Sequence, residues 1–212
     1  MPTTIGTPLT QWRQQEAEAE RLARHGLYDP AEEHDACGVG LVASLDGQPR
    51  REVVLAAIEA LKAVWHRGAV DADGKTGDGA GIHVQIPQAF FREHVARTSA
   101  PAEGQQIGVG MVFLPRTDMA AQERCRVIVE REILNYGYTI YGWRQVPTDT
   151  SVIGEKANAT RPEIEQIIIA NTRGVDLAQF EIDLYIIRRR IETAAEQESI
   201  KEFYICSLSG RS

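Results

Sequence analysis

Apolar residues recur along the chain at two spacings, one typical of amphipathic helices and the other typical of buried strands. Val54, Ile58 and Leu61 are separated by three or four positions, and this spacing predicts a helix over residues 51–65. Pro87 suits the first turn of a further helix because a proline there loses no helical hydrogen bond. In chain order, the predicted helices are 10–25, 51–65, 87–95, 119–136, 175–182 and 192–200.

Short apolar or alternating stretches predict strands in the segments between these helices. The stretch that begins at Cys37 is apolar on both faces, so a strand buried on both sides is expected there. The predicted strands are 37–44, 81–87, 107–115, 138–147, 163–170, 184–191 and 202–207. Strands outnumber helices and do not alternate with them one for one, which favours a layered α/β fold over a doubly wound parallel sheet.

Composition and charge narrow the class of protein. The 212 residues are 43% apolar and 25% charged, and their net charge of −7 gives no electrostatic footprint for nucleic acid or an anionic membrane. No export signal and no apolar stretch of spanning length is present, so we expect a cytoplasmic, non-membrane protein. The scattered cysteines include Cys125 and Cys206, which are both expected to be buried and inert. Arg188 and the two arginines after it are interpreted as a solvated or ion-paired strand edge.

A loop with five glycines, HRGAVDADGKTGDGAG at residues 66–81, is open to several interpretations. It is not a Walker phosphate loop, because five residues instead of four separate Gly68 from Gly74-Lys75-Thr76 and because a helix rather than a strand precedes it. Calcium-loop and dinucleotide patterns fail as well, because Lys75 replaces a calcium ligand and no helix follows the second group of glycines. Two interpretations stay open with equal weight: a loop that needs positive φ angles, or a loop that shapes an active site.

Cys37 stands between a turn-rich acidic segment and the first predicted strand, and Gly38 follows it. Cleavage of the Ala36–Cys37 bond would place a new α-amine beside the thiol, where the amine can serve as the base that activates this nucleophile. The alternative is that Cys37 is an ordinary buried cysteine at the start of a strand. His34 and Cys37 have a possible ligand spacing, but two ligands do not define a metal site, and none is predicted.

Three long stretches carry a family resemblance: DACGVGLVASLDGQPRR, ALKAVWHRGAVDADGKTGDGAGIHVQIP, and YGWRQVP together with GEKANATRPEIEQIII. They closely resemble the start of the large subunit of glutamate synthases. In that family a class II glutamine amidotransferase domain begins at a cysteine, after a short propeptide. The resemblance covers most of the chain except its first residues.

The resemblance implies that residues 1–36 are a propeptide, that cleavage falls between Ala36 and Cys37, and that residues 37–212 form the N-terminal part of the amidotransferase domain. It implies a four-layer αββα N-terminal nucleophile hydrolase fold that is incomplete at its C-terminus. Cys37 is then the nucleophile. The residues implied to line the substrate site are Arg67, Gly68, Asp78 and Gly79. For Arg67, an ion pair at a helix end is the open alternative.

The implied reaction is hydrolysis of L-glutamine to glutamate and ammonia, which the full enzyme uses to convert 2-oxoglutarate to glutamate. FMN and an iron–sulfur cluster are implied for the full enzyme and no cofactor for this stretch. The implied partners are the remainder of the subunit and a small electron-donating subunit. The family also uses an Asn-Gly pair in its oxyanion hole, and this sequence has none, so we expect little activity from the isolated chain. A catalytically dead fragment or a non-catalytic interaction module is the alternative.

Overall fold

The computed structural model describes Arg21 and residues 38–64, 70–77, 79–98 and 105–212. The chain divides into two units, residues 1–40 and 41–212, and the elements named below belong to the second. The helices are α1 (Arg51–Ala63), α2 (Gln88–Thr98), α3 (Met119–Asn135), α4 (Glu155–Thr160) and α5 (Leu177–Gln197). The strands are β1 (Ile107–Leu114), β2 (Thr139–Gln145), β3 (Glu163–Ala170) and β4 (Tyr204–Ser209). The predicted helix over residues 10–25 lies outside the described residues, apart from Arg21.

The four strands form one antiparallel sheet in the order β2-β3-β1-β4. Alternate side chains of a strand point to opposite faces of a sheet, and β3 uses both of its faces. Ile167 and Ile169 pack in the larger core with α3 and α5, whereas Ile168 packs in a smaller core with Phe91 and Val95 of α2. The prediction of helices layered on an antiparallel sheet is confirmed at this level.

The two long helices begin where the sequence supplies a cap. The side chains of Asp118 and Asp176 accept hydrogen bonds from Ala121 N at 2.9 Å and Gln179 N at 2.8 Å, which satisfies one of the unpaired amides at each helix start. Each helix then turns one apolar stripe toward the sheet. In α5 the buried positions are Phe180, Asp183, Leu184, Ile187, Ile191 and Ala195.

The prediction of a strand at 184–191, between two short helices, is wrong. Residues 177–197 form one continuous helix of 21 residues. The segment looked strand-like because Tyr185 and Ile186 add exposed apolar side chains to the buried stripe. The nearly continuous apolar run hides the 3.6-residue period of a helix. The three arginines 188–190 therefore lie on a helix, where they form ion pairs with Glu192 and Glu132.

The predicted strands at 37–44 and 81–87 are also wrong for the residues that the structure describes. Gly38–Ser44 and Gly81–Pro87 form no strand, and Val39 and Leu41 are each 91% exposed. An apolar segment becomes a strand only when a neighbouring strand takes up its backbone hydrogen bonds, and no described strand pairs with either segment. The described part of the chain consequently holds five helices and four strands, so strands do not outnumber helices, and α4 was not predicted.

The two cysteines that the structure describes differ in their surroundings. Cys125 lies on α3 and is fully buried, as predicted, and burial raises the pKa of its thiol to about 11. Cys206 is exposed, so the prediction that it is buried is wrong. The ladder between β1 and β4 shifts register at this point, since Val112 pairs with Ile205 and Met111 with Ser207. This irregularity breaks the strict alternation on which the prediction was based.

None of the described helices is long and apolar enough to cross a lipid bilayer.

Candidate functional site

Most of the predicted site residues lie outside the residues that the structure describes. This applies to Ala36, Cys37, Arg67, Gly68 and Asp78, whose predicted roles stay predictions. Gly79 is described: it belongs to neither a helix nor a strand, and a Cβ at this position would meet no atom of the described residues within 4 Å. The chain at Gly79 is therefore sterically open.

The centre of the glycine loop forms a small hairpin, residues 70–77. Val70 and Gly77 pair as an antiparallel bridge. Asp71 N donates to the carbonyl of Thr76 at 2.7 Å, and Gly74 N donates to the carbonyl of Asp71 at 2.9 Å. Gly74 has φ +69°, a conformation that glycine adopts at little cost. The loop was predicted to need positive φ angles at several points, and one is observed at Gly74, whereas Gly79 and Gly81 have none.

The Asp73 carboxylate organises the tip of the hairpin. It accepts hydrogen bonds from Lys75 N at 2.9 Å, from Thr76 N at 2.7 Å and from the Thr76 hydroxyl at 2.5 Å. Hydrogen bonds to a carboxylate favour its charged form, and those from Thr76 contribute most to lowering the pKa of Asp73 to about 2. Asp73 is therefore ionised at neutral pH and holds the turn closed.

The hairpin rests on the start of α4. Gly154 is the N-cap residue of α4, and no side-chain hydrogen bond caps the helix from that position. The Thr76 hydroxyl lies 3.5 Å from Ala157 N and accepts its hydrogen bond in place of a local cap. Lys156 adds an ion pair, with its Nζ 2.7 Å from Oδ2 of Asp71. Sequence reasoning missed this contact, although a short helix without a Ser, Thr, Asp or Asn cap signals that a cap comes from elsewhere.

An open cleft of about 890 Å³ adjoins the segment that follows the glycine loop. Much of its wall is apolar, and the apolar side chains include Ile82, Val84, Phe90, Met111 and Leu208. Its charged wall residues already have partners. Arg144 donates to Gln166 at 2.8 Å, Arg188 donates to the carbonyl of Cys206 at 3.3 Å, and Glu181 accepts from Ser209 at 2.8 Å. The described walls thus combine a largely apolar surface with two arginines and one glutamate, each of which makes a hydrogen bond within the protein.

A comparison with known protein families gives a match over residues 37–212, to the class-II glutamine amidotransferases. The chain belongs to this family. The amidotransferase match begins at Cys37, the residue predicted to be the nucleophile.

Several glutamate synthases are similar to this chain, which confirms the resemblance identified from the sequence. The NADPH glutamate synthase large chain of Azospirillum brasilense is 65% identical over 196 residues, 92% of this chain and 13% of the relative. Ferredoxin-dependent glutamate synthase 1 of Arabidopsis thaliana is 38% identical over 187 residues, 87% of this chain and 12% of the relative. The NADPH enzyme large chain of Bacillus subtilis is 37% identical over 190 residues, 88% of this chain and 12% of the relative. This amidotransferase chain therefore spans a small fraction of its relatives' length.

Proposed function

We propose that this chain is the glutamine-hydrolysing part of a glutamate synthase and that Cys37 is its nucleophile. The observation that carries the proposal is the family match, which begins at Cys37 and runs to residue 212. Removal of residues 1–36 would make the Cys37 α-amine the neighbour of its own thiol. An α-amine has an ordinary pKa of about 8, so a useful fraction is unprotonated near neutral pH and can accept the thiol proton.

The proposed reaction has two halves. The Cys37 thiolate attacks the side-chain amide carbon of L-glutamine, the carbon–nitrogen bond breaks, and ammonia leaves with the proton that the α-amine took from the thiol. Water then attacks the γ-glutamyl thioester, which releases glutamate and returns the thiol. Arg67, Gly68, Asp78 and Gly79 are proposed to line this site.

The ammonia is proposed to serve a synthase reaction elsewhere in the full-length protein. There FMN and an iron–sulfur cluster would supply the reducing chemistry that turns 2-oxoglutarate and ammonia into glutamate. This chain does not fit such a cluster, because it has three cysteines and a cluster commonly takes four cysteine thiolates. The described residues also hold no group of three or more His, Cys, Asp or Glu side chains placed to bind a metal ion. We therefore propose that the iron–sulfur cluster lies elsewhere in the full-length protein, and that FMN lies with the synthase reaction that it would serve. The proposed fold is the αββα arrangement, of which the described sheet would be one layer.

The test combines mass spectrometry with a glutamine-like electrophile, a diazoketone that carries the carboxylate and amine of glutamine. We expect the mature chain to begin at Cys37 and to be alkylated there. Cys37→Ala should abolish this labelling, whereas Cys206→Ala, which removes a described exposed thiol, should leave it intact. A chain that keeps residues 1–36 and shows no labelling at Cys37 would overturn the proposal and favour a non-catalytic interaction module.

A further inference from the structure

The hairpin at residues 70–77 connects the two parts of the glycine loop that the family resemblance assigns to the substrate site. Arg67 and Gly68 precede Val70 closely along the chain, and Asp78 and Gly79 follow Gly77 directly. The bridge between Val70 and Gly77 ties the two ends of the hairpin together. The hairpin is therefore joined along the chain to the residues that we propose to line the glutamine site.

The hairpin and α4 lie so close together that no side chain larger than that of glycine fits between them at residue 154. Gly154 is buried, and a Cβ there would overlap Oγ1 of Thr76 and Oδ2 of Asp73 and would lie 2.6 Å from the backbone N of Thr76. The last atom belongs to the backbone and cannot rotate away as a flexible side chain can. Any side chain at residue 154 would push the hairpin off the helix, so only glycine allows this approach.

The end of α4 is in turn connected to the sheet. β3 begins at Glu163, shortly after α4 ends at Thr160, and β3 lies in the interior of the sheet between β2 and β1. Arg116 follows β1, and its side chain donates a hydrogen bond to the carbonyl of Ala159 at 3.3 Å. This bond is a second connection between α4 and the sheet. A continuous series of contacts thus runs from the sheet through α4 to the hairpin.

We propose that Asp73, Thr76 and Gly154 form a clamp that positions both arms of the glycine loop for glutamine binding. The inference rests on the proposed function, since the loop arms matter only if they line the glutamine site. These three are positioning residues: they act through the loop. Lys156 adds little to the clamp, because both partners of its ion pair with Asp71 are substantially exposed and exposed pairs are weak.

The experiment compares three variants with the unsubstituted chain, each after removal of residues 1–36. Thr76→Val removes the hydroxyl that contacts Asp73 and Ala157 while keeping the side-chain shape. Thr76→Ser restores the hydroxyl. Thr160→Val is the matched control, because Thr160 donates a hydrogen bond to the carbonyl of Lys156 within α4 and has no hydrogen bond to the hairpin among the described residues.

Labelling of Cys37 by the glutamine-like diazoketone is measured over a range of concentrations, which separates binding of the reagent from the rate of alkylation. For Thr76→Val we expect a half-saturating concentration raised about tenfold, the equivalent of one lost hydrogen bond, with the maximal rate nearly unchanged. Thr76→Ser should return to the unsubstituted value, and Thr160→Val should match it throughout. Iodoacetamide, which lacks the amino-acid part, should alkylate Cys37 equally fast in every protein.

Two failures are distinguishable. If the unsubstituted chain is not labelled by the diazoketone, both the proposed function and the clamp are overturned. If that chain is labelled but Thr76→Val behaves identically, the clamp is overturned while the proposed function stands. Slower iodoacetamide labelling in Thr76→Val would also overturn the clamp, since it would mean that the thiol itself had changed.

Discussion

Asp183 shows how a single buried residue organises its neighbours. Its carboxyl group is almost fully buried on α5 and accepts hydrogen bonds from the Tyr138 hydroxyl at 2.5 Å, Arg173 at 2.5 Å and Gln179 at 2.8 Å. The Arg173 guanidinium also lies 5.5 Å from the centre of the Tyr138 ring. A buried polar group is tolerated when its hydrogen bonds are made, and removing its partners is costly. The cluster joins the end of β3, the start of β2 and α5.

We predict that Asp183→Asn lowers the free energy of unfolding by about 2–4 kcal/mol. Arg173 loses its charged partner, and the amide NH2 group that replaces one carboxylate oxygen faces hydrogen-bond donors instead of acceptors. Urea denaturation followed by circular dichroism measures the change. Asp149→Asn is the control, since Asp149 is exposed and, among the described residues, accepts hydrogen bonds from nearby Ser151 alone. It should change stability by less than about 0.5 kcal/mol. Equal losses in the two variants would contradict the prediction.

A second residue-scale prediction concerns thiol chemistry. The Cys125 pKa of about 11, raised by burial, leaves roughly one thiol in a thousand ionised at pH 8, and the thiolate is the reactive form. Iodoacetamide should therefore modify exposed Cys206 in the folded protein and Cys125 only after denaturation. As the pH rises from about 9 toward about 11, the unfolded thiol ionises before the folded one, so stability should fall over this range. Peptide mass mapping checks the first expectation, and modification of native Cys125 would refute it.

At the scale of an element, α5 shows how one helix can carry apolar residues on more than one side. Ile187 is fully buried against the sheet, whereas its neighbour Ile186 is 37% exposed. In a helix the buried set repeats every three or four residues, and Phe180, Leu184 and Ile187 follow that rule. The exposed isoleucines do not contradict it, since apolar side chains on a protein surface are common.

Two adjacent isoleucines provide a matched test of this arrangement. We predict that Ile187→Ala costs about 2–4 kcal/mol of unfolding free energy, because it leaves a cavity in the core, while Ile186→Ala costs less than about 1 kcal/mol. Both variants delete the same atoms from the same helix, so the difference reports burial alone. Chemical denaturation of the two proteins side by side measures it, and similar losses would contradict the described orientation of α5.

At the scale of the whole molecule, the described surface keeps apolar side chains in contact with water. Leu41, Leu45, Ile82, Val84 and Phe90 are all exposed, and the last three line the open cleft. The loop hairpin, by contrast, is held to the sheet through α4. The hairpin at residues 70–77 thus contacts α4, while the described cleft is open to solvent.

The corresponding prediction separates alkylation of Cys37 from turnover. The sequence contains no Asn-Gly pair, which the family resemblance assigns to the oxyanion hole, and loss of one oxyanion donor lowers the rate about 10²–10³-fold. We therefore expect the chain that begins at Cys37 to be alkylated by the diazoketone but to release ammonia from glutamine only slowly. A coupled ammonia assay measures this release. Rapid release that disappears in Cys37→Ala would contradict this prediction and support the proposed function.

The spacing of apolar residues, together with turn-forming and capping residues, was enough to predict most of the helices and strands. α1, α2, α3, β1, β2, β3 and β4 all appear at or close to the predicted positions. Spacing, caps and glycine stops act within a few residues, so a local pattern contains the information. The long joint match of sequence motifs was likewise sufficient to identify the family, since it depends on residue identity and not on packing.

Tertiary structure alone decided the features that depend on a distant partner. The apolar segments 38–44 and 81–87 are not strands because no described strand pairs with them, and α5 is continuous because the sheet buries one of its stripes. The cap of α4 comes from Thr76, which is far away along the chain. Hydrogen bonds and burial between remote residues follow from the folded arrangement, and a local pattern cannot specify them. Cys37 could therefore be proposed as the nucleophile from the sequence, whereas the clamp that we propose to position the glycine loop could not.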